Sequence, residues 1–112
     1  MNRRKELAQA YKEREIIGGI YIIKNSRTGR YLLDHTANLQ GARNHFQFAV
    51  STGSTVHPRL QRDWQALGPQ AFTFTVLEEL KRQAKQSSES FLDDLKTLTE
   101  MWRANLDPAL SY

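Results

Sequence analysis

Residues 18–34 read Gly18-Gly19-Ile20-Tyr21-Ile22-Ile23, then Lys24-Asn25-Ser26-Arg27-Thr28-Gly29-Arg30, then Tyr31-Leu32-Leu33-Asp34. Two runs of β-favouring residues flank a polar stretch in which Asn25, Ser26 and Gly29 are turn formers, so the segment predicts a β-hairpin. Ile16-Ile17 extend the first strand upstream. Before them, Met1 to Glu15 contains neither Gly nor Pro and spaces Leu7, Ala8 and Tyr11 onto one face, which predicts a short helix that packs on the domain.

Downstream of the hairpin, Asn38 is suited to cap a helix over Leu39 to Val50, with Phe46, Phe48 and Ala49 on its buried side and Gly41 as a weak point. Ser51 to Ser54 form a loop. His57-Pro58 precedes a helix whose Leu60, Trp64 and Leu67 fall at i, i+4 and i+7, ended by Gly68-Pro69. Ala71 to Leu77 alternates apolar and polar residues as a strand does, and Glu78 to Arg82 continues towards a helix or an exposed connection. Ser87 to Ser90 suits a helix start, and Phe91, Leu92, Leu95, Leu98, Met101, Trp102 and Leu106 form an apolar helical stripe. The order helix, two strands, two helices, strand, helix predicts one small α/β sandwich domain over 1–112. It divides into an N-terminal helix over 1–15, a motif-bearing core over 18–80 and a C-terminal helix over 88–106.

At 112 residues the chain is long enough to bury a core without staples. It has no cysteine, which excludes a disulfide framework and zinc–thiolate chemistry and fits a reducing cytoplasm. No apolar run follows the basic start, so no signal peptide is expected, and none approaches the ~20 residues of a membrane span. The net charge of +4 is uneven: residues 1–30 carry eight Lys/Arg against three Glu, and residues 71–112 carry five against seven acids. A basic first third is able to face phosphates, with Arg3, Arg4, Lys5, Lys24, Arg27 and Arg30 as the candidate nucleic-acid contacts.

Taken in order, Gly19-Ile20-Tyr21, Lys24-Asn25, Gly29, Asn38-Leu39, Leu60-Gln61-Arg62-Asp63-Trp64, Leu67-Gly68 and Phe72-Thr73-Phe74-Thr75-Val76-Leu77-Glu78 resemble the GIY-YIG nuclease superfamily from Gly18 to Leu106. The resemblance implies a small sandwich with a three-stranded, mainly antiparallel sheet flanked by helices, and phosphodiester hydrolysis with Mg²⁺ or Mn²⁺. In such a site a carboxylate holds the metal, one tyrosine helps activate water, and a second tyrosine and a helix arginine support the scissile phosphate. Carried over, Tyr21 matches the first tyrosine and Glu78 the metal carboxylate. The second motif is rewritten: alignment without a gap sets Leu32 where its tyrosine belongs, Asp34 where its glycine belongs and Ala42 where the arginine belongs. Tyr31 and Arg43 stand one residue away from the lost positions, and neighbouring strand residues point to opposite faces.

Three readings follow. The first is a GIY-YIG-fold protein with a degenerate nuclease site that retains nucleic-acid binding and needs no cofactor. The second is an active divalent-metal-dependent DNA endonuclease using Tyr21, Tyr31, Arg43 and Glu78. It requires a bulge in the second strand. The third is a non-catalytic protein-interaction module whose terminal helix forms a homodimer or docking surface. Among the histidines, His35 with Asp34 and Glu78 would supply a remodelled metal site, and His45 a base near Arg43. No membrane partner is expected.

Overall fold

The computed structural model describes Arg3 and residues 15–112. The helix expected over residues 1–15 lies outside the described residues apart from Arg3 and Glu15, both exposed, and Arg4 and Lys5 lie outside them too. Strands β1 (Ile17–Asn25), β2 (Tyr31–Thr36) and β3 (Phe72–Lys81) form one antiparallel sheet in the order β2-β1-β3. Among the residues from 15 to 112, three α-helices flank it: α1 (Leu39–Thr52), α2 (Gln61–Leu67) and α3 (Ser88–Arg103). Among the described residues no helix is long and apolar enough to cross a membrane.

The central strand β1 alternates between two cores, as the pleat requires. On one face Ile23 packs with Leu32 and Phe72 against Phe46, Ala49, Leu60 and Trp64 of the α1–α2 layer, with Tyr21 and Phe74 at its border. On the other face Ile20, Tyr31 and Leu33 pack against Phe91 and Leu95 of α3. Each Leu, Ile or Phe among them contributes about 1.5–3 kcal/mol when fully buried. The helix ends follow local chemistry. Asn38 accepts the Gly41 N–H at 3.0 Å, and Gly53 closes α1 with φ 77°. At Gly41 a Cβ would come within 2.6 Å of the Asn38 side-chain amide, so the glycine leaves room for this cap. Ser87 caps α3 through the Ser90 N–H.

Several expectations are corrected. Phe48 lies on the solvent side of α1, 63% exposed, because two residues rotate a helical side chain about 200° from Phe46. Leu92 and Met101 are likewise exposed on α3, and the buried stripe narrows to Phe91, Leu95 and Thr99, bordered by Leu98 and Trp102. Residues 78–81 form neither a helix nor a connection but continue β3, pairing with Ile17 to Ile20.

The hairpin tip is held by Asn25, which has no exposed surface. Its Oδ1 accepts the Arg27 N–H at 2.9 Å, and its Nδ2 donates to the Tyr112 hydroxyl at 3.0 Å, which itself donates to Asp63 at 2.7 Å. Arg30 lies over the Tyr112 ring and 3.8 Å from Asp63. The C-terminal residues thereby pass from the α3 side around the edge of β2 to the α2 side.

Candidate functional site

Tyr21 sits mid-strand on the α1 side of the sheet. Its ring stacks on Phe74 at 4.7 Å between centroids, and the Arg43 guanidinium lies over the Phe74 ring, 5.9 Å from its centroid. Directly across the strand pair from Tyr21 is Asp34, whose carboxylate accepts the Tyr21 hydroxyl at 3.4 Å. Burial, and then the negative charge and hydrogen bond of Asp34, push the Tyr21 phenol well above its ordinary range. The hydroxyl therefore remains protonated and is a donor, not a base.

The cleft beside Tyr21, about 370 Å³, is bordered by Asn38, Ala42 and all three histidines, His35, His45 and His57. The His57 Nδ1 accepts the Arg59 N–H at 3.1 Å, so the neutral ring carries its proton on Nε2. Ala42, at the position expected for an arginine, lines the cleft without filling it. Arg43 lies around the helix in a neighbouring cleft of about 840 Å³, together with Asn38, Val76 and Glu79.

Tyr31 and Glu78 do not join Tyr21. Tyr31 is buried on the α3 face, and its hydroxyl donates to the Asp107 carbonyl at 2.9 Å. Glu78 faces α3 as well, accepting the Trp102 indole N–H at 2.8 Å. The cause is a bulge between β1 and β3. Tyr21 pairs with Val76, yet Ile20 pairs with Glu78, so Leu77 is the extra residue. An unbroken ladder would set Glu78 opposite Gly19, on the face of Tyr21; the shift puts Glu79 there instead. The second-strand bulge that would bring Tyr31 across is absent: β1 and β2 pair in continuous register, and the observed bulge lies between β1 and β3.

The remaining expected contacts also separate. Lys24 and Arg27 are exposed at the hairpin tip, whereas Arg30 is engaged by Tyr112 and Asp63. Asp34 and His35 are 3.7 Å apart, but Glu78 does not complete a trio with them. Among the described residues no three His, Asp or Glu side chains are grouped to hold a metal ion. The residues that sequence reasoning missed are Asp34 as the partner of Tyr21, His57 and Glu79. A two-residue period signals Asp34 opposite Tyr21, but nothing in the sequence signals the bulge that exchanges Glu78 for Glu79. No protein-family model, curated protein or solved structure matches the chain.

The raised Tyr21 phenol gives a pH prediction. The unfolded phenol ionises near its ordinary value of about 10, and the folded one only at higher pH. The stability this contributes is complete below the unfolded value and is lost as pH rises beyond it. Urea midpoints measured from pH 8 to pH 11, about the window of that titration, are expected to fall more steeply for the native chain than for Tyr21→Phe. Identical slopes would show that Tyr21 titrates normally.

Proposed function

We propose that the chain is a GIY-YIG-like module that binds nucleic acid and does not cut it by that superfamily's metal mechanism. The observation that carries this reading is the division of Tyr21 and Arg43 from Tyr31 and Glu78 by the thickness of the sheet. Tyr31 and Glu78 are also occupied by structural hydrogen bonds. Glu78 on the α3 face cannot hold a metal against a phosphate lying on the Tyr21 face, and Glu79, which the bulge brings round, borders the Arg43 cleft and not the Tyr21 cleft. On the Tyr21 face the groups suited to phosphate are donors: the amide of Asn38, the imidazoles of His45 and His57, and the nearby Arg43 guanidinium. They are suited to positioning a phosphate backbone.

The test is anisotropy of short labelled duplex and single-stranded DNA, with gel analysis after incubation in Mg²⁺ or Mn²⁺. Intact DNA and binding that weakens with salt are expected. Arg43→Ala should reduce the slope of log K against log salt by about one, the signature of one lost phosphate contact. Metal-dependent cleavage that disappears in Tyr21→Phe together with Glu78→Ala or Glu79→Ala would overturn the non-cutting half of the proposal. Absence of binding at low salt would overturn the other half.

A further inference from the structure

The β2 strand is at the edge of the sheet, and its outer rim is only partly covered. Antiparallel pairing alternates residues whose backbone groups face the partner strand with residues whose groups face away. The Asn25 N–H bonds the Arg30 carbonyl at 2.8 Å, so Arg30, Leu32 and Asp34 face β1 while Tyr31, Leu33 and His35 face outward. The Tyr31 carbonyl accepts the Tyr112 N–H at 2.9 Å, within a parallel bridge to Ser111. The His35 N–H donates to the Asp34 carboxylate at 2.8 Å. Among the described residues the N–H and C=O of Leu33 and the C=O of His35 meet no protein partner. They open into a cleft of about 380 Å³ walled by His57 and Arg59 on one side and by Lys96, Thr99, Glu100 and Arg103 of α3 on the other.

We propose that this groove receives an extended acidic peptide from a partner protein as a fourth strand. An edge strand with free backbone groups beside a helix wall is the geometry of strand addition, in which main-chain hydrogen bonds supply affinity and flanking side chains supply selectivity. Tyr112 and Ser111 already add to this rim at Tyr31, so the rim accepts an added strand. The charges set the partner's chemistry. Arg103 is paired with Glu100 at 3.2 Å, and Asp34 is engaged by Tyr21 and His35. Arg59 and Lys96 are exposed, with no carboxylate at ion-pair distance among the described residues. They stand on opposite sides of the groove, so adjacent acidic residues of an added strand, pointing to opposite faces, would meet one each. A second copy of this chain fits less well, because symmetric pairing of two β2 edges would bring these cations against their own copies.

The experiment uses the full chain and a labelled peptide of threonine and valine with a central Glu-Asp pair. Saturable binding is expected, with slowed hydrogen exchange at the Leu33 amide. Arg59→Glu and Lys96→Glu should each weaken binding about tenfold. Equal binding of the same peptide with a Lys-Lys centre, or with alternate amides methylated, would overturn the proposal, as would no binding of the acidic peptide. Displacement of the peptide by oligothymidine without any change at Leu33 would assign the groove to nucleic acid. Leu33 protection that rises with protein concentration in the absence of peptide would assign it to self-association.

Discussion

Gly19→Ala is expected to cost about 3 kcal/mol of stability, a large share of what a chain of this size holds. Gly19 lies in the central strand, where both neighbours are fixed by hydrogen bonds. A Cβ built there would overlap the Glu78 carbonyl oxygen of β3 and approach Leu39 Cδ1 to 2.8 Å. The first obstacle is backbone in the middle of the sheet, so relief requires β3 to move at the bulge that sets its register. Gly18→Ala is constrained in the same way, by the Thr36 carbonyl at 2.5 Å and the Phe91 ring at 2.9 Å. The control is Gly29→Ala, where nothing lies within 4 Å and only the φ of 78° resists, worth about 1–2 kcal/mol. Urea denaturation followed by circular dichroism separates them. A Gly19→Ala midpoint matching that of Gly29→Ala would refute the packing account.

This crowding explains why the hairpin was the most legible part of the chain. Its alternation of apolar residues, the turn formers around Gly29 and the paired glycines all point to one arrangement, and the structure has it. The strands and flanking helices followed from the same period-two and period-3.6 patterns, whereas their antiparallel pairing into one sheet was expected from the resemblance to GIY-YIG nucleases. Legibility failed where a single residue decides orientation. Leu77 looks like an ordinary strand residue, yet as the extra residue of a bulge it turns Glu78 away from Tyr21 and brings Glu79 round. The residues flanking a bulge keep their β-favouring character, so periodicity read along one strand does not detect it. Phe48 misled for a different reason. Its apolar character was read ahead of its angular position, and Phe46 and Ala49 already fill the buried side of α1. The path of the C-terminus was hidden as well: Tyr112 reaches Asn25 and Asp63 through contacts far apart in sequence, which local patterns do not encode.

Trp64→Ala is the second change expected to have a large effect, a loss of about 3–5 kcal/mol. Trp64 is 2% exposed and closes the core between α1, α2 and the sheet. Its ring meets Phe72 at 5.0 Å and the edge of Phe46 at 6.2 Å, and its indole N–H donates to the Gly53 carbonyl at 3.4 Å, joining α2 to the end of α1. Truncation removes the largest apolar surface in this core and leaves a cavity that α2, only seven residues long and bounded by Pro58 and Pro69, has little freedom to close. The loss bears on the proposed nucleic-acid site because the same layer carries His57 and Val56 to the Tyr21 cleft. Phe48→Ala, also an aromatic truncation but at an exposed position, is expected to shift stability by no more than about 0.5 kcal/mol. Thermal unfolding of the two variants gives the comparison. Similar losses at both positions would mean that Phe48 is covered in solution by a surface absent from the isolated chain, and that the α1 face is itself an interface.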